Sequence, residues 1–588
     1  MTPSNNDATT TNSQSLATRL AWTILILATL YLCYFHNLGA IGLVGPDEPR
    51  YAWIARDMTE TGDWITPHLY GKPWFEKPPL YYWSAALSFK LFGVSETTAR
   101  LPSAIYALFA TLAMAWLAWR IYGSETARWL LLLLPTTVAM IAFSHAAATD
   151  MPFAATLTIA MVFATYLLGL DTRQIEGSAL HSESPLFFRR LGLQPQRKLE
   201  APGRALAPEA SESAIAATHR SNILPAIFFG FFLGLAVLAK GPAALILSGG
   251  SVLLWVAFTK RWRDVFRCLH PLAIIAFCAT ALPWYILCAR RNPDFFRIFI
   301  IEHNFKRFLT PEFQHIQPFW YYAGILLIAF LPWTLLLLYS AFRGSLNLWR
   351  TKTISPATLL LLCWSLFVVV FFSSSKSKLP GYILPAIPAI GLLMARGYVR
   401  SVNHNHDLLR WLLVAAGGLT LLASVPIFFL HLGRSGTSAL HAVAWILLST
   451  ALANLLLSSY GTTTRRLTFL LPLGIPPILL LLCFYPHLQS ALLAHYDPSG
   501  KTLATDIVAR NISPETLLVG HMQRGQQYSL SFYLHREIRS WTTEPREGYL
   551  LSNGHNCSSL VTAPWICSTE PIYLERSRYF LYRVSASH

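Results

Sequence analysis

The chain of 588 residues is 54% hydrophobic and only 13% charged, with a mean hydropathy of +0.42. Soluble domains carry roughly 25% charged residues, so the composition excludes a soluble enzyme and describes an integral membrane protein. The net charge of +17 does not describe a nucleic-acid surface either. Lys and Arg punctuate apolar runs here instead of interleaving with aromatics on one face.

Residues 1–16 are rich in Asn, Ser and Thr without an apolar period, which predicts a disordered cytoplasmic tail. The first apolar run, near 18–38, is too long for a signal-peptide core and lacks a small-residue cleavage site, so it reads as a retained span. Further runs lie near 101–122, 128–146, 151–170, 222–239, 241–258, 268–288, 318–341, 356–373, 380–398, 410–430, 438–458 and 466–484. Each is long enough to cross a hydrocarbon layer of ~30 Å, which gives about thirteen spans and puts the two ends of the chain on opposite sides.

Cations set the orientation. With the N-terminus inside, the even connections carry Arg120 and Arg128; Arg189, Arg190, Arg197 and Lys198; Lys260, Arg261, Arg263 and Arg267; Arg343, Arg350 and Lys352; Arg396, Arg400 and Arg410; Arg465 and Arg466. The outer connections nonetheless hold Lys72, Lys77, Lys240, Arg290, Arg291, Lys306, Arg307, Lys376 and Lys378, where topology alone would not put them.

The first outer connection, 39–100, opens with Gly45-Pro46-Asp47-Glu48-Pro49-Arg50-Tyr51-Ala52 and later carries Phe75-Glu76-Lys77-Pro78-Pro79. Tyr51, Ile54, Ala55 and Met58 repeat at helical spacing, with Arg50, Arg56, Asp57 and Glu60 between them. That pattern predicts an amphipathic helix over 49–60 lying in the interface. Pro49 suits a first helical turn, and Asp47 and Glu48 then sit at its positive end. Residues 80–92 read as a second, aromatic-rich interfacial helix.

The connection 171–221 is polar and predicts a flexible cytoplasmic loop. Residues 490–588 regain soluble composition, with helical patterns at 503–510 and 526–534 and strand patterns at 516–521, 537–541, 548–552 and 578–584. A small extracytoplasmic α/β domain follows, after a transmembrane domain over 17–489. Six of the eight cysteines lie in or beside apolar runs without metal spacing; Cys557 and Cys567 are placed to pair in an oxidising compartment.

Four outward elements belong together: Asp47-Glu48; Glu76-Lys77; Asp150 in SHAAATDMPF; and a cationic set of Lys240, the EHNFKRF run from Glu302 to Phe308, Lys376 and Lys378. Here the chain resembles a family. GPDEPRYAWIARDM, GDWITPHLYGKPWFEKPPLYYW, TDMPF, EHNFKRF followed by PFWYY, and SKSKLPGYILPAIPA match bacterial relatives of the protein O-mannosyltransferases, the lipid A aminoarabinose transferases among them. The likeness covers most of residues 17–400.

The resemblance implies a polytopic α-helical protein of the C-type glycosyltransferase fold in a bacterial inner membrane. It implies an enzyme that takes a sugar from a polyprenyl-phosphate carrier and gives it to a lipid, glycan or protein acceptor on the outer face. It maps the catalytic acidic position onto Asp47, with Glu48 beside it, and a second acidic position onto Asp150. Lipid-phosphate contacts map onto Lys77 and Arg307, with Lys376, Lys378 and Arg50 as further candidates. Glu76 and His303 occupy positions that hold a divalent cation in some members.

The chemistry asks for the same residue types. A polyprenyl-phosphate leaving group needs cations where its charge develops. A hydroxyl acceptor needs a carboxylate base within about 3 Å of its proton, and attack on the anomeric carbon inverts it. Plainer readings remain open: Asp47, Glu48 and Asp150 as helix caps, Glu76 and Lys77 as an interfacial pair, and Lys376 and Lys378 snorkelling to headgroups. A polyprenyl-lipid flippase would instead place ionisable residues within the spans.

Overall fold

The computed structural model describes residues 6–170, 209–306, 316–459 and 497–586, apart from scattered positions within the last two ranges, together with residue 482. The expected span near 466–484, apart from residue 482, and residues 171–208 of the expected loop 171–221 therefore lie outside the described residues, while residues 209–221 of that loop and 6–16 of the expected disordered tail are helical.

Helices dominate. In chain order they are α1 (Asn6–Tyr34), α2 (Asp47–Thr61), α3 (Leu80–Phe92), α4 (Glu96–Tyr122), α5 (Ser124–Leu133), α6 (Val138–Ser144), α7 (Asp150–Leu167), α8 (Glu209–Lys240), α9 (Ala243–Thr259) and α10 (Pro271–Arg291). A π-helical segment, Arg297–Lys306, precedes α11 (Tyr321–Ala329), α12 (Thr334–Thr351), α13 (Pro356–Ser374), α14 (Ile387–His404), α15 (His406–Ile427) and α16 (Gly433–Ser459). Among the described residues six helices are long and apolar enough to cross a membrane, or eight if two bent pairs each count as one span. The protein is a multi-pass membrane protein.

The bent pairs correct the expectation of simple spans at 128–146 and 318–341. The first breaks between α5 and α6 with a 63° bend, the second between α11 and α12 with a 115° bend. Pro135 and Pro332 cannot continue a helical hydrogen-bond ladder. The two breaks meet, and each satisfies groups the other frees. Val138 N donates to the Leu331 carbonyl at 3.0 Å, and Trp333 Nε1 donates to Thr136 Oγ1 at 2.8 Å. In a low-dielectric layer an unpaired backbone group is costly, so paired breaks are the arrangement such a layer tolerates.

The connection 39–100 folds as α2, a two-stranded hairpin of β1 (His68–Leu69) and β2 (Lys72–Pro73), and α3. Helix α3 keeps Leu87, Leu91 and Phe92 exposed, as a helix seated in an interface would. Helix α2 departs from the simple amphipathic picture. Its apolar stripe is buried, and so are Glu48, Arg50 and Arg56 on the other faces. Tyr51, Ile54, Tyr81, Tyr82, Phe89 and Ala147 form one small core with Phe532 from the far end of the chain. Charge periodicity read Arg56 as solvent-facing. Its guanidinium instead packs between the Trp53 and Phe532 rings and donates to the Phe532 carbonyl at 2.9 Å.

Phe532 belongs to a C-terminal α/β unit holding α17 (Lys501–Ala509) and α18 (Arg524–Tyr533). Its strands are β3 (Leu517–Gly520), β4 (Arg539–Ser540), β5 (Gly548–Ser552), β6 (Trp565–Cys567), β7 (Ile572–Tyr573) and β8 (Phe580–Ala586). The sheet order is β4-β3-β5-β8-β6, with β7 also on β8; β4, β3 and β5 run parallel and β8 is antiparallel to its neighbours. Strands β6 and β7 are too short for a sequence period to show. Cys557 and Cys567 form a disulfide.

Helix α18 ties this unit to the connection 39–100. Tyr533 Oη accepts from Leu43 N at 2.9 Å and donates to Glu96 Oε1 at 2.8 Å, while Lys501 pairs with the same carboxylate at 2.6 Å. Ser529 Oγ donates to the Leu43 carbonyl at 2.8 Å. Substituting Tyr533→Phe strips partners from a backbone N–H and a carboxylate, a cost of about 1–3 kcal/mol. The expected result is a lower melting temperature in detergent and faster protease nicking between the unit and the last span; unchanged melting and nicking would count against the docking role.

Candidate active site

Asp47 is the first residue of α2. The preceding Pro46 makes no side-chain cap, and Asp47 turns its carboxylate to Arg50 one helical turn on. Arg50 Nη2 lies 2.5 Å from Asp47 Oδ1 and 3.0 Å from Glu76 Oε2, and Glu76 Oε1 lies 3.7 Å from Lys77 Nζ. DEPR and FEK thus come together as one string of alternating charge. The Asp47 side chain is 47% exposed, against 5% for Arg50 and 10% for Glu76. One oxygen of Asp47 is anchored while its carboxylate remains half open.

Arg50 is wrapped in rings, its guanidinium carbon 5.2 Å from the Tyr51 centroid, 5.3 Å from Trp74 and 5.8 Å from Tyr528. Burial works against its charge, but the field of Tyr51, Glu76 and Asp47 more than offsets burial and holds the guanidinium above its ordinary value. This cation already faces two carboxylates. It is therefore a poor candidate for the lipid-phosphate role that the resemblance suggested.

Glu48 points the other way, into the protein. Its Oε1 accepts from Arg100 Nε at 2.9 Å and Ala147 N at 2.8 Å; its Oε2 accepts from Arg100 Nη2 at 2.7 Å and Val44 N at 2.9 Å. Two oxygens accepting four bonds have no capacity left for a substrate. Glu48 is thus corrected from a catalytic candidate to a positioning group. Arg100 completes the clamp by donating also to the carbonyls of Leu38, Ile41 and Gly42, so all five of its N–H groups are engaged. Arg100 is the residue that sequence reasoning missed. It was legible as another cation at the outer end of a span, in TTARLPS.

The clamp reaches the second acidic loop, because Ala147 lies three residues before Asp150. Asp150 opens α7, and its Oδ1 pairs with Lys240 Nζ at 2.5 Å. Lys240 also lies 4.8 Å from the Tyr382 ring centroid and 5.5 Å from Phe153. Gly381 lets the LPGY turn close on this pair: a Cβ there would sit 2.7 Å from Asp150 Oδ1. TDMPF, AKGP and KLPGY therefore build one cluster, with Lys240 as the partner of Asp150.

The remaining candidates divide. Lys378 is buried and donates to the carbonyls of Ser375 at 2.6 Å and Gln317 at 3.0 Å. Burial, then the Lys376 charge, pushes its amine below the usual lysine range. Its bonds staple two loops, so it is corrected from phosphate ligand to structural cation; Lys376 beside it is exposed. Arg307 and the side chain of His303 lie outside the described residues. No three His, Cys, Asp or Glu side chains gather as a metal site among the described residues. Both oxygens of Glu76 face cations, Arg50 and Lys77.

Comparison with known proteins bears on the resemblance. Residues 20–180 and 211–299 match the family model described as dolichyl-phosphate-mannose-protein mannosyltransferase. The resemblance to the protein O-mannosyltransferase superfamily is borne out. The chain is 32% identical over 411 residues to the undecaprenyl phosphate-alpha-4-amino-4-deoxy-L-arabinose arabinosyl transferase of Edwardsiella ictaluri, covering 69% of this chain and 65% of that one. It is 30% identical over 375 residues to the protein of the same name from Enterobacter sp., covering 64% and 59%. The match spans just under two thirds of these relatives' length. Among solved structures, ArnT from Cupriavidus metallidurans in the apo state aligns with a TM-score of 0.70 at 21% identity, over 97% of this chain and 99% of that one. The undecaprenyl phosphate-bound structure of the same protein aligns at 0.69. The fold is the C-type glycosyltransferase fold.

Removing one partner of a buried, fully bonded ion pair costs about 3–5 kcal/mol, whereas replacing both by well-packed apolar groups costs far less. Arg100→Ala or Glu48→Ala is therefore expected to lower the thermal midpoint steeply. A Glu48→Leu/Arg100→Met double variant should be milder than the sum of its single changes. Strict additivity in a double-mutant cycle would show that the pair does not act as a unit.

Proposed function

We propose that the protein is an inverting glycosyltransferase that moves a sugar from a polyprenyl-phosphate donor to an envelope acceptor on the outer face of the inner membrane. A lipid A-like glycolipid is the favoured acceptor. The observation that carries the reading is the Asp47 carboxylate, anchored at one oxygen by Arg50 and half open beside Glu76-Lys77. The names of the relatives support a polyprenyl-phosphate-linked sugar donor.

In this reading the chain has thirteen spans, a cytoplasmic N-terminus and an extracytoplasmic C-terminal domain over 490–588, as the distribution of cations favours. Soluble nucleotide sugars are absent from that side, so the donor is lipid-borne. Lys77, with Arg307 and Lys376, stabilises charge developing on the departing phosphate, where a fixed cation in a poorly solvated site acts strongly. Asp47 takes the proton of a hydroxyl acceptor as the new bond forms, or orients the sugar when the acceptor is an anionic phosphate. Asp150, neutralised by Lys240, holds the second acidic loop.

The test is sugar transfer from a supplied lipid-linked donor in proteoliposomes. Removing a general base typically costs 10²–10⁴-fold in kcat, so Asp47→Asn is expected to lose transfer by about that factor with its melting temperature preserved. Full turnover of this variant would sink the assignment. Lys77→Ala is expected to lower kcat/KM by roughly 10²-fold through lost stabilisation of the leaving charge, while Lys77→Arg recovers part of it. Transfer to a protein hydroxyl in place of a glycolipid would redirect the acceptor assignment and leave the donor chemistry intact.

A further inference from the structure

The first turn of α18 brings the C-terminal unit to the edge of the Asp47 cluster. Gly525 packs against Gly45, two residues before Asp47; a Cβ on Gly525 would lie 2.8 Å from the Gly45 carbonyl carbon, so glycine is what permits the approach. Tyr528, three residues on, stacks on Tyr70 and faces Arg50. Its hydroxyl accepts from Arg524 Nε at 3.1 Å and Nη2 at 3.0 Å, and the Arg524 guanidinium carbon lies 5.3 Å from the Tyr528 ring centroid. A cation is thus pinned by the same tyrosine that covers Arg50.

Arg524 is exposed, and it takes part in no ion pair among the described residues. Its neighbours contrast with it. Arg50, Arg56, Lys501 and Arg536 each face a carboxylate, and so does Lys240. Around Asp47 and Asp150 the charges already balance, so an incoming anion is not attracted by Arg50 or Lys240. Arg524, on α18, is held in place by Tyr528 and faces no carboxylate among the described residues. Tyr528 occupies only one edge of the guanidinium, and the Nη1 edge stays open in a fork that matches phosphate oxygens.

We propose that Arg524, oriented by Tyr528, is the anion-recognition residue of the acceptor subsite and takes a phosphate monoester on the headgroup of a membrane-borne glycolipid. The inference rests on the reading of Asp47 as the reacting carboxylate: an acceptor presented to Asp47 needs its far end held, and α18 is the element that borders both.

The experiment uses the full chain in nanodiscs with two readouts. The first is binding of a short-chain disaccharide glycolipid carrying one phosphate monoester, compared with the same molecule after phosphatase treatment, with inorganic phosphate as competitor. A charge-assisted bidentate contact predicts about a tenfold preference for the phosphorylated form, lost in Arg524→Ala, partly kept in Arg524→Lys and weakened in Tyr528→Phe. Preference retained in Arg524→Ala overturns the proposal, as does competition by inorganic phosphate at equal concentration, which would mark a free-phosphate site. The second readout is transfer kinetics: Arg524→Ala raises the acceptor KM about tenfold and leaves the donor KM unchanged. A change confined to the donor KM overturns the assignment. Phosphate-dependent binding by a wild-type protein that transfers no sugar would leave the subsite standing and remove the glycosyltransferase reading instead.

Discussion

The segments packed around α2 depend on one buried ion pair, Glu48 with Arg100. Arg100 stands near the start of α4 and gathers the carbonyls of Leu38, Ile41 and Gly42, the segment that leads out of α1. Glu48 returns that grip to the start of α2 and, through Ala147, to the loop before α7. A guanidinium and a carboxylate are both expensive to desolvate, and such a pair repays the cost only when every lone pair and proton is engaged. Here they are. The arrangement gains less in net stability than in placement: it fixes where Asp47 and the Asp150 loop stand relative to each other. Two adjacent acidic residues thereby divide their tasks, Glu48 facing in to hold the frame and Asp47 facing out.

The same division runs through the other charges. Lys378 and Lys240 each sit where a phosphate-binding cation would be sought. One is stapled to two carbonyls and the other to Asp150. Membrane-edge cations of this kind are retained because the backbone and acidic groups beside them need partners in a poorly solvated region. What is left for a ligand among the described residues includes the half-open Asp47, Lys77 with its loose 3.7 Å pairing to Glu76, the exposed Lys376, and Arg524 on α18. Counting cations overestimates a binding site; asking which ones are already neutralised narrows it.

Much of this was legible in the sequence. Apolar run lengths gave the membrane class, the 3.6-residue period gave α2 closely, and aromatic-rich composition gave α3. Proline-framed carboxylates drew attention to Asp47, and the quoted motifs carried the resemblance. What stayed hidden was tertiary. Nothing in a periodicity shows that Glu48 and Arg100, fifty-two residues apart, exhaust each other's hydrogen bonds. Nor does it show that Lys240, ninety residues from Asp150, is the partner of that carboxylate. Proline positions hinted at the breaks in the spans near 128–146 and 318–341, but that the two breaks satisfy each other is a property of packing. Arg56 read as surface charge because the helix it faces, α18, arrives more than four hundred residues later.

That late arrival has a mechanistic consequence. Phe532 completes the small core under α2, Tyr533 bridges Leu43 and Glu96, and Tyr528 covers Arg50. Without α18 the Arg50 guanidinium would lose one of its three aromatic walls, and water would screen its attraction for Asp47. An Asp47 carboxylate released from Arg50 would sample many directions, and a base that is not held in line contributes little beyond bulk buffer. The membrane portion therefore supplies Asp47 and Arg50 but not the whole of their setting. That setting is imposed across the chain, by an acidic corner near its beginning and a tyrosine-bearing helix near its end, each shaping the other's surface.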